Sequence, residues 1–183
     1  MAGKRVAVLT VVCGVIAAMF GAVPSATAVT PRLACLTGNQ NQTYSPGIVL
    51  LPRDVTVTGS GQYSSCSSSD GRNITTGSFN VSGRGTASCL AASLPTLNTV
   101  SWTSTTGERY NSVMRFNSGV DLKPVGQSVV VITGEVVSGL YEGRMVEKTI
   151  ILTNANLLTS TECLNLTGEG LVASGGPVQL AIL

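Results

Sequence analysis

Short runs in which apolar and polar residues alternate follow one another along most of this chain, with turn-forming residues between them. In the run 54–66, for example, Val55, Val57 and Tyr63 are separated by even numbers of residues. A period of two places apolar side chains on one face of a strand, while Gly, Pro and Asn favour turns between strands. The pattern therefore predicts an all-β chain.

The predicted strands are the runs 42–51, 54–66, 73–89, 98–104, 110–117, 127–138, 144–153 and 177–183. Their apolar faces cannot remain in water, so the strands must either stack as two sheets or close as a barrel. We predict an antiparallel β-sandwich of about eight strands, with a barrel as the alternative, because periodicity does not separate the two.

The first 28 residues have the pattern of a secretory signal peptide. Lys4 and Arg5 precede an apolar run from Val6 to Val23, and Ala26-Thr27-Ala28 supplies the small residues of a cleavage site. We therefore predict a leader over 1–28 and a single secreted domain over 29–183. No later apolar run has the length of a transmembrane helix, so no membrane span is expected in the mature form.

Four cysteines follow the predicted leader: Cys35, Cys66, Cys89 and Cys163. An even number of widely spaced cysteines in an exported chain predicts two disulfides rather than a zinc site. A hairpin turn at Pro52-Arg53 would carry Cys35 to within a few residues of Cys66. We therefore predict the pairs Cys35–Cys66 and Cys89–Cys163.

The absence of histidine is the strongest chemical constraint in the sequence. The whole chain has 11 basic residues, 9 acidic residues and no histidine, and two of the basic residues lie in the leader. Without histidine there is no Ser-His-Asp or Cys-His machinery and no ordinary His-ligated metal. The even charge balance gives no reason to expect nucleic acid as a partner. We expect no cofactor and no metal.

Carboxylates gathered near one hairpin leave one kind of catalysis open. A glycan hydrolase needs two carboxyl groups, and a pair could be drawn from Glu108, Asp121, Glu135 and Glu147. A turn over 140–143 predicts Glu135 opposite Lys148 and Glu147 on the other side of the sheet. This register favours a solvated hairpin over a catalytic pair, because opposite charges across strands stabilise it.

Aromatic residues offer candidates for binding. Trp102 alternates with Val100 and is expected in the core. Tyr141, at the predicted hairpin tip beside Leu140 and Glu142, is the expected exposed aromatic, so Tyr141 and Glu142 are the candidate binding residues. The segment Asp70-Gly71-Arg72-Asn73 is predicted to be a plain turn, because one carboxylate gives little affinity for calcium.

Three segments of the chain resemble a group of small exported proteins of Streptomyces and related actinobacteria. They are "TYSPGIVLLPRDVTVTGSGQYSSC", "GTASCLA" and "GQSVVVITGEVVSGLYEG". The resemblance implies a disulfide-bonded β domain that is exported, and it brings no catalytic residues and no ligand.

These observations favour a non-enzymatic secreted protein that recognises a protein or a polysaccharide at its surface. The specific partner is not indicated by the sequence. A carboxylate-dependent glycan hydrolase is the alternative.

Overall fold

The computed structural model describes residues 30–88, 92–122, 128–152 and 169–183. Within these ranges the chain forms β-strands joined by turns, and no helix there is long and apolar enough to cross a membrane. The strands are β1 (Leu33–Ile48), β2 (Arg53–Ser68), β3 (Ile74–Ala87), β4 (Ala92–Ser93), β5 (Thr96–Ser104), β6 (Arg109–Leu122), β7 (Ser128–Gly139), β8 (Met145–Leu152) and β9 (Leu171–Ile182).

Eight of the described strands close into an antiparallel barrel. They follow the order β2-β1-β9-β8-β7-β6-β5-β3, and β3 pairs with β2 to complete the ring. The two-residue strand β4 pairs with the end of β3. Of the two predicted arrangements the structure has the barrel. The preferred sandwich does not form. The strand β2 pairs with both β1 and β3, and β9 pairs with both β1 and β8. These strands therefore have no open edge.

The sequence predicted the eight long strands but not their full extents. The first begins at Leu33, whereas the alternating run was recognised only from residue 42. The last begins at Leu171 rather than at residue 177. Both additions include polar or glycine-rich stretches that resemble loops when read alone. In the barrel, Gln40 and Asn41 pair with Gly176 and Gly175, so these stretches complete their hydrogen bonds in the sheet.

Large aromatic side chains fill the barrel where the strands provide glycine. Trp102 is fully buried, as predicted, and stacks against Tyr63 with ring centroids 5.8 Å apart. A Cβ atom at Gly77 would lie 2.4 Å from the Trp102 ring, and one at Gly61 would lie 2.4 Å from Phe79. These glycines therefore make the space in which the two rings fit.

One of the two predicted disulfides lies in the described residues. Cys35 and Cys66 lie directly opposite each other on β1 and β2 and are bonded, which confirms this pair. The register centres the intervening turn between Leu50 and Leu51, two residues before the predicted position. Cys89 and Cys163 lie outside the described residues.

Candidate functional site

The β7–β8 hairpin does not have the predicted register. Glu135 lies opposite Met145, and Lys148 lies opposite Ile132, so the predicted pair of Glu135 with Lys148 is wrong. The reason is a longer loop: the N–H of Val136 donates to the carbonyl of Arg144 at 2.9 Å, and the backbone reverses over the residues between them. Positive φ angles at Gly139, Tyr141 and Gly143 allow this wider turn.

The corrected register places Glu135 and Glu147 on the same face of the sheet, not on opposite faces. Both side chains are exposed on the outside of the barrel. Glu108 is also exposed and accepts a hydrogen bond of 2.8 Å from the Tyr110 hydroxyl. Asp121 pairs through its backbone with Val130, and its side chain is outside the description.

The predicted binding residues lie in the β7–β8 loop, but the loop folds over the end of the barrel. Leu140 and Tyr141 are half-buried and pack against the core, so the expectation of an exposed Leu-Tyr tip is wrong. The Leu140 N–H donates to the Asn111 carbonyl at 2.8 Å, and the Ser112 hydroxyl donates to the Leu140 carbonyl at 2.7 Å. Of the three residues predicted at the tip, 140–142, Glu142 is the exposed one. Whether Tyr141 and Glu142 bind a partner stays a prediction.

Beside this loop, the predicted turn at residues 70–73 forms a small charged network. Asp70 and Arg72 form an ion pair, and the Arg72 guanidinium lies 5.8 Å from the centroid of the Tyr110 ring. Burial opposes ionisation of Asp70, but hydrogen bonds and the charge of Arg72 hold its pKa below the usual value. Burial and the nearby Asp70 raise the pKa of Tyr141. No cluster of metal-ligating side chains occurs among the described residues.

A different surface is notable because it has no charged and no apolar side chains. Along the middle parts of β1, β2, β3 and β5, successive outward side chains are exposed and uncharged, and all bear hydroxyl or amide groups. We define this polar face as Thr37, Asn39, Asn41, Thr43, Thr58, Ser60, Gln62, Ser64, Thr76, Ser78, Asn80, Ser82, Thr99 and Ser101.

Strand pairing arranges the polar face in rows. Asn39, Gln62, Ser78 and Ser101 lie side by side across four strands, and Asn41, Ser60, Asn80 and Thr99 form the next row. Neighbours in a row are about 4.8 Å apart, and rows follow at about 6.8 Å along the strands. Some partners bond to each other, as Thr43 does with Thr58 at 3.0 Å. The face is therefore a regular array of hydrogen-bonding groups.

A cleft of about 310 Å³ adjoins the polar face. Ser82 lies in both, and the cleft is also lined by Arg84, Leu97 and Arg115. The two guanidinium groups lie on β3 and β6, on either side of β5. They make the cleft suitable for an anionic group.

The barrel interior contains polar groups, of which the alternating pattern places only Tyr63 on an apolar face. Gln40, Tyr63, Asn98 and Lys148 are each about 1% exposed. The Gln40 Oε1, the Tyr63 hydroxyl and both polar atoms of the Asn98 side chain have no hydrogen-bond partner among the described residues. Lys148 alternates with Val146 and Ile150, and this period of two was the signal that could have placed it inside.

The Lys148 amine lies against aromatic rings. Its Nζ lies 4.4 Å from the centroid of the Phe79 ring and 5.9 Å from that of Phe116. No ion pair to this amine is found among the described side chains. Burial lowers the pKa of Lys148 to about 7, because the apolar interior disfavours the charged form.

No family model, curated protein or solved structure matches this chain. The resemblance to exported actinobacterial proteins stays a prediction. Any function must be argued from the residues themselves.

Proposed function

We propose that the protein is exported and acts without catalysis, by recognising a polysaccharide through its polar face. The observation that carries the proposal is the array of exposed hydroxyl and amide groups on four adjacent strands. Sugars present hydroxyl groups at repeated spacings, and an array of this kind can exchange hydrogen bonds with many of them at once. Weak contacts that recur along a polymer add through multivalency.

The chemistry of the face favours a polysaccharide over a protein partner. Protein interfaces are usually centred on buried aromatic or arginine anchors, and the polar face has neither. Its side chains are short, so few rotamers are lost when a ligand binds. Its lack of charge suits a polymer made mainly of neutral sugars.

Export is supported by the sequence and is compatible with the disulfide. The predicted leader at 1–28 would direct the chain out of the cytoplasm. Disulfides such as Cys35–Cys66 form and persist mainly in oxidising compartments. The partner would then be a polysaccharide of the cell envelope or of the surrounding medium.

Binding to insoluble polysaccharides tests the proposal. The mature protein is mixed with a panel of washed neutral and acidic polymers, and the fraction that sediments is measured against protein concentration. We expect saturable binding to at least one polymer, reduced about tenfold or more by Ser60→Arg or Ser78→Arg, because a long charged side chain in the array separates the surfaces.

Ser138→Arg is the matched control, because Ser138 is exposed on β7, across the barrel from the polar face. This variant should bind like the unaltered protein. Equal loss in all three variants, or no binding to any polymer, would contradict the proposal. Release of sugars that stops after Glu135→Gln or Glu147→Gln would support the hydrolase alternative instead.

A further inference from the structure

The buried amine of Lys148 and the buried amide of Asn98 share one part of the apolar interior. We propose that these two side chains join in an intramolecular isopeptide bond between Lys148 Nζ and Asn98 Cγ. The bond would be a covalent modification that crosses the barrel from β8 to β5. The inference does not depend on the proposed function.

The strand register places Asn98 near the lysine amine. Asn98 pairs with Val81 on β3 and with Met114 on β6. Phe79 and Phe116 are the next inward residues on those two strands, so they flank Asn98 diagonally. The Lys148 Nζ lies over both rings. The amine therefore faces the part of the barrel wall that contains Asn98.

The reaction needs no oxidant and no co-reactant. The uncharged amine of Lys148 attacks the Asn98 Cγ and forms a tetrahedral intermediate. The Cγ–Nδ2 bond then breaks, one proton moves from the attacking nitrogen to Nδ2, and ammonia leaves. An amine and a primary amide are replaced by a secondary amide and ammonia, so atoms and charge balance.

The interior provides conditions for each step. A lysine amine in water is mostly protonated and not nucleophilic, whereas burial of Lys148 in the apolar interior favours the neutral form. The Tyr63 hydroxyl is near Asn98 and keeps its proton, because burial raises the pKa of this phenol. A neutral phenol can donate to the oxygen that becomes negative during attack.

The bond would also remove two groups whose burial destabilises the folded state. As free side chains, Lys148 carries a group whose charged form is costly to bury, and both polar atoms of the Asn98 amide lie buried without partners among the described residues. After reaction the lysine has no ionisable group, and the Asn98 Nδ2 is gone. One N–H and one carbonyl remain in place of an amine and a primary amide.

Peptide mapping of the folded, unaltered protein tests the inference directly. Trypsin should release residues 85–109, which contain Asn98, still joined to residues 145–183, because cleavage after a modified Lys148 is blocked. The joined peptide should be lighter than its two parts by one ammonia. The protein must be reduced and alkylated first, because the predicted Cys89–Cys163 disulfide would join the same two peptides.

Two variants distinguish formation of this bond from other reactions that release ammonia. Lys148→Met should give separate peptides and no loss of ammonia at Asn98, whereas a cyclic imide formed by Asn98 with its own backbone would persist in this variant. Asn98→Ala should leave Lys148 unmodified and cleavable. Unmodified Asn98 and Lys148 in the mapped, unaltered protein would overturn the inference, even if neither variant folds.

Discussion

The interior around Lys148 and the polar face on β1, β2, β3 and β5 use polar residues in opposite ways. Inside the barrel, amide and phenol groups lie buried without partners among the described residues, and the Lys148 amine lies over aromatic rings. Outside, hydroxyl and amide groups are fully exposed and can bond to water or to a ligand. The same residue types are therefore energetically costly at one site and nearly neutral at the other. Burial, not polarity, decides which positions are sensitive to change.

The largest expected effect concerns the buried amine. In Asn98→Ala the amine of Lys148 stays free, and we expect the free energy of unfolding to rise with pH. Burial lowers the folded-state pKa of Lys148 to about 7, and an unfolded lysine titrates near 10.4. Between these values the unfolded chain binds the extra proton, so stability should increase by up to about 4 kcal/mol from pH 7 to 10. Urea unfolding at several pH values measures this increase.

The control for this pH dependence is the double variant Asn98→Ala with Lys148→Met. It should lose most of the increase, because the only buried lysine of the described interior is gone. Tyr63 does not imitate the effect, because burial raises its folded-state pKa and its contribution begins only near pH 10. An equal increase in the double variant would assign the effect to other groups.

The next effect is expected where β1 and β2, two strands of the polar face, are joined covalently. Replacing both Cys35 and Cys66 by alanine should lower the free energy of unfolding by about 3 to 4 kcal/mol, because the disulfide closes a loop with a sequence separation of 31. Denaturant unfolding of the variant measures the loss. A destabilisation below about 1 kcal/mol would mean that the unfolded chain is already compact between these residues.

A smaller effect should distinguish two neighbouring residues of β3 that face opposite ways. In Gly77→Ala the new methyl group would overlap the Trp102 ring, and overpacking of this kind costs about 1 to 3 kcal/mol. Ser78→Ala, on the polar face, should change stability by less than about 0.5 kcal/mol. Thermal unfolding of the two proteins makes the comparison. Equal midpoints would mean that the ring shifts without cost.

The smallest expected effect is at the cleft beside the polar face. Arg115→Ala should leave stability nearly unchanged, because its side chain is exposed. If the bound polysaccharide carries acidic groups, this variant should bind it about two- to fivefold less tightly at low salt, with the difference lost at high salt. Sedimentation with neutral and acidic polymers measures the change. An effect that persists at high salt would contradict an electrostatic role.

Sequence patterns predicted what local periodicity controls. Eight strands, the buried Trp102 and the pair Cys35–Cys66 all follow from alternation and from counting across one hairpin. The choice between sandwich and barrel did not follow, because it depends on the pairing of β1 with β9, which are separated by most of the chain. Local patterns contain no information about such distant partners.

The misplacement of Lys148 has a different physical cause. The prediction used charge pairing to choose a register and therefore assumed that lysine lies in solvent. The wider loop shifts the β7–β8 register by three residues. Because this number is odd, the β8 side chains lie on the opposite face of the sheet, relative to those of β7, from the one predicted. The apolar neighbours Val146 and Ile150 were better guides than the charge of Glu135. The polar face was missed because Ser, Thr and Asn in a strand resemble loop residues.

The pairing of β1 with β9 determines when the barrel can close. Leu33 lies opposite Ile182, so the first described strand reaches its second partner only after the last one has been synthesised. Until then β1 and β8 each present an edge of unpaired backbone groups. A growing chain can form hairpins, but it cannot close the ring, and contacts between distant residues slow folding. The barrel can therefore close only after β9 has been made.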